Sequence, residues 1–277
     1  MDDKFLDRII AEALKEDMPA GDLTSESIVS RGSFSRASIV ARQAGILAGI
    51  DVAKRVFEKI DREVSFTSFL RDGEKFRKNE RLALIEGKSL ALLQGERTAL
   101  NFLQRMSGIA TLTHRYVKAV EMTKAKILDT RKTTPCLRAL EKYAVRMGGG
   151  MNHRMNLSEM VLIKDNHRRL AGTISEAVSR VRERFPVGVK IEVEASSLEE
   201  VKEALVCGVD MIMLDNMSLE EMKAAVEFVS GRIPVEASGR MNLKRIKEVA
   251  NLGVDFISVG ALTHSSPAID ISMEFLE

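Results

Sequence analysis

Apolar runs ending near residues 193, 214, 237 and 259 recur at intervals of 21, 23 and 22 residues, with an amphipathic segment between each pair. A strand–helix–strand repeat of that kind demands parallel strands joined by right-handed crossovers. Units this short leave no chain for long excursions, so a small closed barrel fits better than a wide open sheet. Earlier strand candidates at 126–128 and 160–163 extend the series, and later ones fall at 189–193, 211–214, 234–237 and 256–259. Helical periodicity fills the gaps at 138–147, 174–185, 198–207, 219–229 and 243–252. A complete eight-fold barrel takes about 250 residues. Fewer than 160 are available here, so the expectation is an incomplete, TIM-like α/β barrel of six or seven strands.

The first hundred residues read differently. Phe5, Leu6, Ile9, Ile10 and Leu14 recur at helical spacing and Gly21 stops the helix. Strand-like runs follow at 38–42, 63–69 and 81–85, with a helix near 52–60, which makes a mixed α+β unit. A long helix over 89–120, broken near Ser107-Gly108, is expected to join the halves. The predicted domains are 1–105, a barrel over 106–264, and a tail at 265–277 packing back on the first domain.

The formal net charge is only +2 in 277 residues, which on its face argues against polyanions. The distribution reverses that. Between Arg131 and Arg169 nine basic residues meet three acidic ones, so 39 residues carry +6 and the remainder −4. Such an excess is either a solvated basic face or a site for an anion. Nucleic acid is disfavoured, since the segment's one aromatic, Tyr143, provides little for bases to stack on. No apolar run approaches the roughly 20 residues that span a bilayer. Met1-Asp2-Asp3-Lys4 starts no secretory pattern, and Cys136 and Cys207 sit at no metal-ligand spacing. A cytoplasmic chain with free thiols is the expectation.

In barrels the chemistry collects at the carboxyl ends of the strands. Here those ends read Asp129-Thr130-Arg131-Lys132, Lys164-Asp165-Asn166, Glu192-Val193-Glu194, Asp215-Asn216, Glu236-Ala237-Ser238-Gly239 and Ser258-Val259-Gly260. Glu192 and Glu194 share one face of a strand. If that face is inward they need a cation, which Lys164, Lys132 or a divalent metal could provide, because an unpaired buried carboxylate is strongly unfavourable. Asp215 could share a Mg²⁺ with Glu194, hard oxygens suiting an ion held mainly by a substrate phosphate. Ser238-Gly239 and Gly260-Ala261 could offer backbone N–H groups to a phosphate. Gly148-Gly149-Gly150 follows a helix and reads as a stop with a flexible loop. His153, beside Arg154, is the histidine most open to a role at the site.

These residues form longer motifs. Gly95-Glu96-Arg97-Thr98-Ala99-Leu100-Asn101 with Ser107-Gly108-Ile109-Ala110-Thr111, and Asp129-Thr130-Arg131-Lys132-Thr133-Thr134-Pro135, are two of them. Asn152-His153-Arg154-Met155-Asn156-Leu157, Ile163-Lys164-Asp165-Asn166-His167 and Glu236-Ala237-Ser238-Gly239 follow in order. Together they resemble quinolinate phosphoribosyltransferases over almost the whole chain. The resemblance implies an N-terminal α+β sandwich before the barrel. It also implies transfer of phosphoribose from 5-phosphoribosyl-1-pyrophosphate to quinolinate, with release of CO₂ and pyrophosphate and formation of nicotinate mononucleotide.

By the same resemblance Arg97, Arg131, Lys132, His153, Arg154 and Lys164 line the site, mostly gripping the substrate carboxylates. Thr130 joins them. Glu194 and Asp215 hold the ribose and Mg²⁺–pyrophosphate, and Ser238, Gly239, Arg240, Val259, Gly260 and Ala261 occupy the 5′-phosphate positions. Lys132, Lys164, Glu194 and Asp215 form the implied catalytic set. Arg97 is expected to reach a neighbouring subunit in a homodimer or larger homo-oligomer, with no nucleic acid or membrane partner. One departure stands out: Arg240 follows Ser238-Gly239 where the family has a second glycine, which offers phosphate a side chain in place of a backbone contact. The related proteins associated with molybdenum transport are the nearest rival, and the full basic set separates this chain from them.

Overall fold

A computed structural model describes residues 2–30, 32–186 and 188–277; Met1, on which the reading of the chain start partly rests, lies outside them. In chain order the elements begin with α1 (Asp3–Asp17), α2 (Leu23–Ile28), β1 (Phe34–Ala41), β2 (Gly45–Ile46) and α3 (Ile50–Ile60). Next come β3 (Ser65–Ser68), β4 (Lys75–Phe76), β5 (Arg81–Lys88) and α4 (Ser89–Ala119). The alternating part runs β6 (Lys126–Leu128), α5 (Arg138–Met147), β7 (Val161–Ile163), α6 (Asp165–Ala171), α7 (Ile174–Arg184), β8 (Ile191–Ala195) and α8 (Leu198–Val206). It finishes with β9 (Met211–Asp215), α9 (Leu219–Val229), β10 (Val235–Ser238), α10 (Arg245–Asn251), β11 (Phe256–Ser258), α11 (Ala261–His264) and β12 (Ile271–Leu276). Two compact units result, one of Met1–His114, Ala139–Gly149 and Ser266–Glu277, the other of Arg115–Arg138 and Gly150–Ser265.

The first unit is built on an antiparallel sheet in the order β12-β1-β5-β3. Strand β1 pairs with β12 from Arg36↔Leu276 to Ala41↔Ile271, so the end of the chain completes this sheet. Helix α3 buries Val52, Ala53, Val56 and Phe57. Its N-cap residue is Gly49, which has no side chain to cap with, and Asp72 supplies the acceptors instead. Asp72 takes the Gly49 N–H at 2.8 Å and the Ile50 N–H at 3.0 Å. The Tyr143 hydroxyl donates to the same carboxylate at 2.7 Å. Burial, and then the Asp72 carboxylate, push this phenol well above its usual range. Tyr143→Phe is therefore expected to lower stability by about 1 kcal/mol, read as a shift in urea midpoint; an unmoved midpoint would show that the bond adds nothing net.

Helix α4 is continuous through Ser107-Gly108, contrary to the expected break. Glycine ends a helix only where nothing else holds the backbone, and here both residues are packed. Ser107 Oγ exchanges hydrogen bonds with the backbone N–H and C=O of Ala48. A β-carbon at Gly108 would strike the Pro267 carbonyl oxygen, so the glycine admits the tail. Helix α5 does stop before Gly148, as read, and the glycine has a second role: any β-carbon there would collide with Ala110 and Thr113 of α4, so it lets chain and helix touch. Arg105 on α4 donates from Nε and Nη2 to Glu141 of α5 and from Nη1 to the Ser266 carbonyl.

The second unit is an α/β barrel-like sheet of six parallel strands, β6-β11-β10-β9-β8-β7. Its helices start on signals legible in the chain: Thr173 with Glu176 and Ser218 with Glu221 form capping boxes at α7 and α9, and Ser197 caps α8. All six strands point the same way, so their carboxyl ends meet at one mouth.

Candidate active site

A cavity of about 560 Å³ opens at that mouth. Every strand contributes to it. Thr130, Arg131 and Lys132 follow β6, Lys164 follows β7, Glu194 is on β8, Asp215 ends β9, Glu236 and Ser238 are on β10 and Ser258 ends β11; His153, Arg154, Asn216, Gly239 and Arg240 complete the polar lining. Arg97 lies on α4 of the first unit. Val259, Gly260 and Ala261 are not among the lining residues. Gly260 stands beside the Lys132 side chain and leads into α11.

Strand alternation sets the inward charges. Glu192 and Glu194 do face inward together, Glu192 fully buried and Glu194 partly so. Glu194 forms an ion pair with Lys164, one of the cations expected to meet it. Lys164 is pinned in turn, its N–H donating to His167 Nδ1 at 3.0 Å. Glu192 is met by a residue not foreseen as its partner: His153 Nε2 stands 3.0 Å from its Oε2. Behind them Asp129, wholly buried, accepts the Asn152 amide at 2.5 Å and the His153 N–H at 2.9 Å, fixing where the histidine leaves the chain.

Two of the cations are held in the cavity wall with part of their hydrogen-bonding capacity unused. Arg154 is 7% exposed, donates from Nη1 to the Met160 carbonyl at 2.9 Å and keeps a buried Nε without a partner. Burial and the nearby charge of Arg131 lower its proton affinity. Arg131 also has a buried, unpartnered Nε. Two guanidiniums so placed repel each other until an anion comes between them.

The turn after β10 depends on one glycine. Gly239 has φ +95°, and a β-carbon there would run into the Asn216 side chain. Asn216, itself at φ 57°, donates its N–H to the Ser238 carbonyl at 3.1 Å and its amide to Asp215 at 2.8 Å. Arg240 also holds a left-handed backbone, φ 49°, at the position where the family pattern has glycine.

Reading the strand ends missed Glu236 as a site residue. It is fully buried, lines the cavity, and has neither oxygen hydrogen-bonded. The signal was available: Glu236 lies two residues before Ser238, on the same strand face, as Glu192 does before Glu194.

Comparison with known proteins agrees with this architecture. The quinolinate phosphoribosyl transferase N-terminal domain matches residues 22–107 and the C-terminal domain of the same family matches 109–274. A probable nicotinate-nucleotide pyrophosphorylase [carboxylating] of Bacillus subtilis strain 168 is 42% identical over 97% of this chain and 93% of its own length. The enzyme named nicotinate-nucleotide pyrophosphorylase [carboxylating] in Mycobacterium leprae is 41% identical over 96% and 95%. Among solved structures, NadC from Streptococcus pyogenes superposes with a TM-score of 0.96 at 41% identity, covering 100% of this chain and 99% of that one. With both domain families matched in order and relatives alike along nearly their whole length, the chain belongs to the quinolinate phosphoribosyl transferase family.

Proposed function

We propose that this chain transfers phosphoribose from 5-phosphoribosyl-1-pyrophosphate to the ring nitrogen of quinolinate, releasing pyrophosphate and CO₂ and forming nicotinate mononucleotide for NAD synthesis. The observation that carries the reading is the pair Arg131 and Arg154, two cations with buried unpartnered nitrogens in one cavity with Lys132 and Lys164. A planar dicarboxylate satisfies both guanidinium forks at once. His153 stands beside them, and Arg97 is assigned to the same substrate from a neighbouring subunit of a homodimer. Ser238, Gly239 and Arg240 receive the 5′-phosphate, with Val259, Gly260 and Ala261 next to them in the proposed set. A single species in sedimentation with the mass of a monomer would remove the dimer and the Arg97 assignment together.

In the transfer, the cations hold the acceptor so that its nitrogen faces C1 of the ribose, which lowers the entropic cost of the encounter. The nucleophile has no proton to lose, so no general base is needed. Glu194 and Asp215 lie near the sugar and stabilise positive charge developing at C1, while Lys132 and Lys164 stabilise the departing pyrophosphate. Glu194 and Asp215 end neighbouring strands and line one cavity, a hard-oxygen pair that fits Mg²⁺ held chiefly by pyrophosphate and water. When bound, the ion supplies charge neutralisation for the leaving group. Once alkylated, the ring nitrogen is an electron sink for loss of the adjacent carboxylate.

Incubation with quinolinate, 5-phosphoribosyl-1-pyrophosphate and Mg²⁺ is expected to release CO₂ and pyrophosphate in equal amounts. Turnover of nicotinate with quinolinate inert would overturn the assignment. Chelation with EDTA is expected to lower the rate at least 10²-fold, as for loss of a strong electrostatic contributor, with recovery on adding Mg²⁺. Undiminished turnover in EDTA would remove Glu194 and Asp215 as metal-binding groups.

A further inference from the structure

When CO₂ leaves, the ring carbon that carried it keeps the electron pair and must gain a proton before product can depart. The barrel holds a cluster of three titratable groups, His153, Glu192 and Glu236, of which the two carboxyl groups have no part in the transfer step. The ligating atoms of His153, Glu192 and Glu236 lie within 4.8 Å of one another, and both carboxylates are wholly buried. On distance alone such a set suits a divalent ion. The imidazole argues against it. His153 Nδ1 accepts the Arg154 N–H at 2.7 Å, so the ring proton sits on Nε2 and no lone pair faces the carboxylates.

That proton is given to Glu192 at 3.0 Å. Glu236 Oε2 is 3.6 Å from the same nitrogen, beyond hydrogen-bond distance, and both Glu236 oxygens lack partners, as does the Ser258 hydroxyl. An ionised carboxylate is not stable in such a place, whereas a carboxylic acid is. Glu236 also borders the cavity, and Glu192 does not.

We propose that Glu236 is the proton donor of the decarboxylation, its O–H delivering to the ring carbon beside the alkylated nitrogen. This rests on the phosphoribosyl-transfer reading. The bond from that carbon to the carboxylate breaks and its electron pair stays on the carbon, next to the positive nitrogen. CO₂ departs, a C–H bond forms with the Glu236 proton, and Glu236 is left as a carboxylate that takes a proton from water as product leaves. Burial first, and then the Glu192 carboxylate, hold Glu236 well above the usual carboxylate range; the Ser258 hydroxyl and the Lys164 charge oppose this and Glu194 adds to it, all more weakly. His153 and Glu192 are positioning residues: their hydrogen bond engages the imidazole with Glu192 and leaves Glu236 as the carboxyl group that borders the cavity.

A single-turnover quench on the full chain, with carboxyl-labelled quinolinate, separates pyrophosphate release from CO₂ release. Glu236→Gln keeps shape and neutrality but has no acidic proton. It is expected to release pyrophosphate within about threefold of the unaltered chain, while CO₂ release falls by about 10²-fold, the range for a lost general acid. Glu236→Asp, which keeps an acid, is expected to recover part of that loss. Equal loss of both releases in Glu236→Gln would mean that Glu236 only shapes the site, and CO₂ release at the unaltered rate would mean that water supplies the proton. Either result overturns the proposal and leaves the transfer reading standing.

The unaltered chain gives a readout that needs no variant. Its CO₂ step is expected to fall at alkaline pH as Glu236 ionises, while its pyrophosphate step stays level; a CO₂ step whose alkaline limb matches that of the pyrophosphate step sinks the idea. No pyrophosphate release at all from the unaltered chain overturns the transfer reading and this proposal with it.

Discussion

Arg131→Ala is expected to lower kcat/KM for quinolinate by about 10²-fold and to leave binding of 5-phosphoribosyl-1-pyrophosphate within about twofold. The figure follows from losing one charge-assisted, two-point contact worth about 3 kcal/mol. The split follows from the geometry. The Arg131 side chain ends in a buried Nε without a partner, while its loop is held by other atoms. Arg138 donates to Thr133 Oγ1 at 2.9 Å and to the Met155 carbonyl at 3.1 Å, and the Arg131 carbonyl accepts the Thr133 N–H at 3.0 Å. Truncation therefore removes a ligand contact and spares the loop. Arg131→Lys is expected to recover little, because an ammonium cannot reproduce the planar fork. Isothermal titration with each substrate separates the outcomes, and equal loss for both would mean the residue is misassigned.

The second large effect is on stability. Glu141→Ala is expected to cost about 3 kcal/mol, since it strands part of the Arg105 guanidinium beside a side chain that is 1% exposed. Arg105 retains 30% exposure, which places the cost toward the lower end for a broken buried pair. Glu141→Gln, still an acceptor, is expected to lose less. A fall in urea midpoint at constant slope is the measure. A cost below about 1 kcal/mol would put the pair among ordinary surface ion pairs.

The barrel was legible because parallel βα units impose two periodicities and a fixed spacing, which tertiary packing does not erase. Residues at the strand ends followed from polarity, since Glu194 or Asp215 at the end of an apolar run has no structural reason to be charged. The basic block was legible as charge but not as geometry. Four of its nine cations, Arg131, Lys132, Arg154 and Lys164, line the cavity. The others serve the scaffold or its surface: Arg146 lies over the Tyr143 ring, Arg168 pairs with Glu200, and Lys142 is buried in α5. Charge counts cannot make that division, because it depends on which helix face each residue occupies. Gly108 was misread, and the packing role of Gly148 missed, for a related reason. Gly108 and Gly148 are dictated by what approaches them from far along the chain, and no local pattern records that. Glu236 went unnoticed as a site residue because one acid two residues before a strand end looks like any other until the barrel closes over it.

The pairing of β12 with β1 has a consequence for biosynthesis. Strand β1 keeps one open edge until residues 271–276 have been made, so its sheet is completed only by a strand that follows the whole barrel in sequence. The N-terminal half must wait, with an unpaired row of amides, through synthesis of the entire barrel. A nascent chain arrested before residue 271 leaves that edge of β1 open to pairing with another chain.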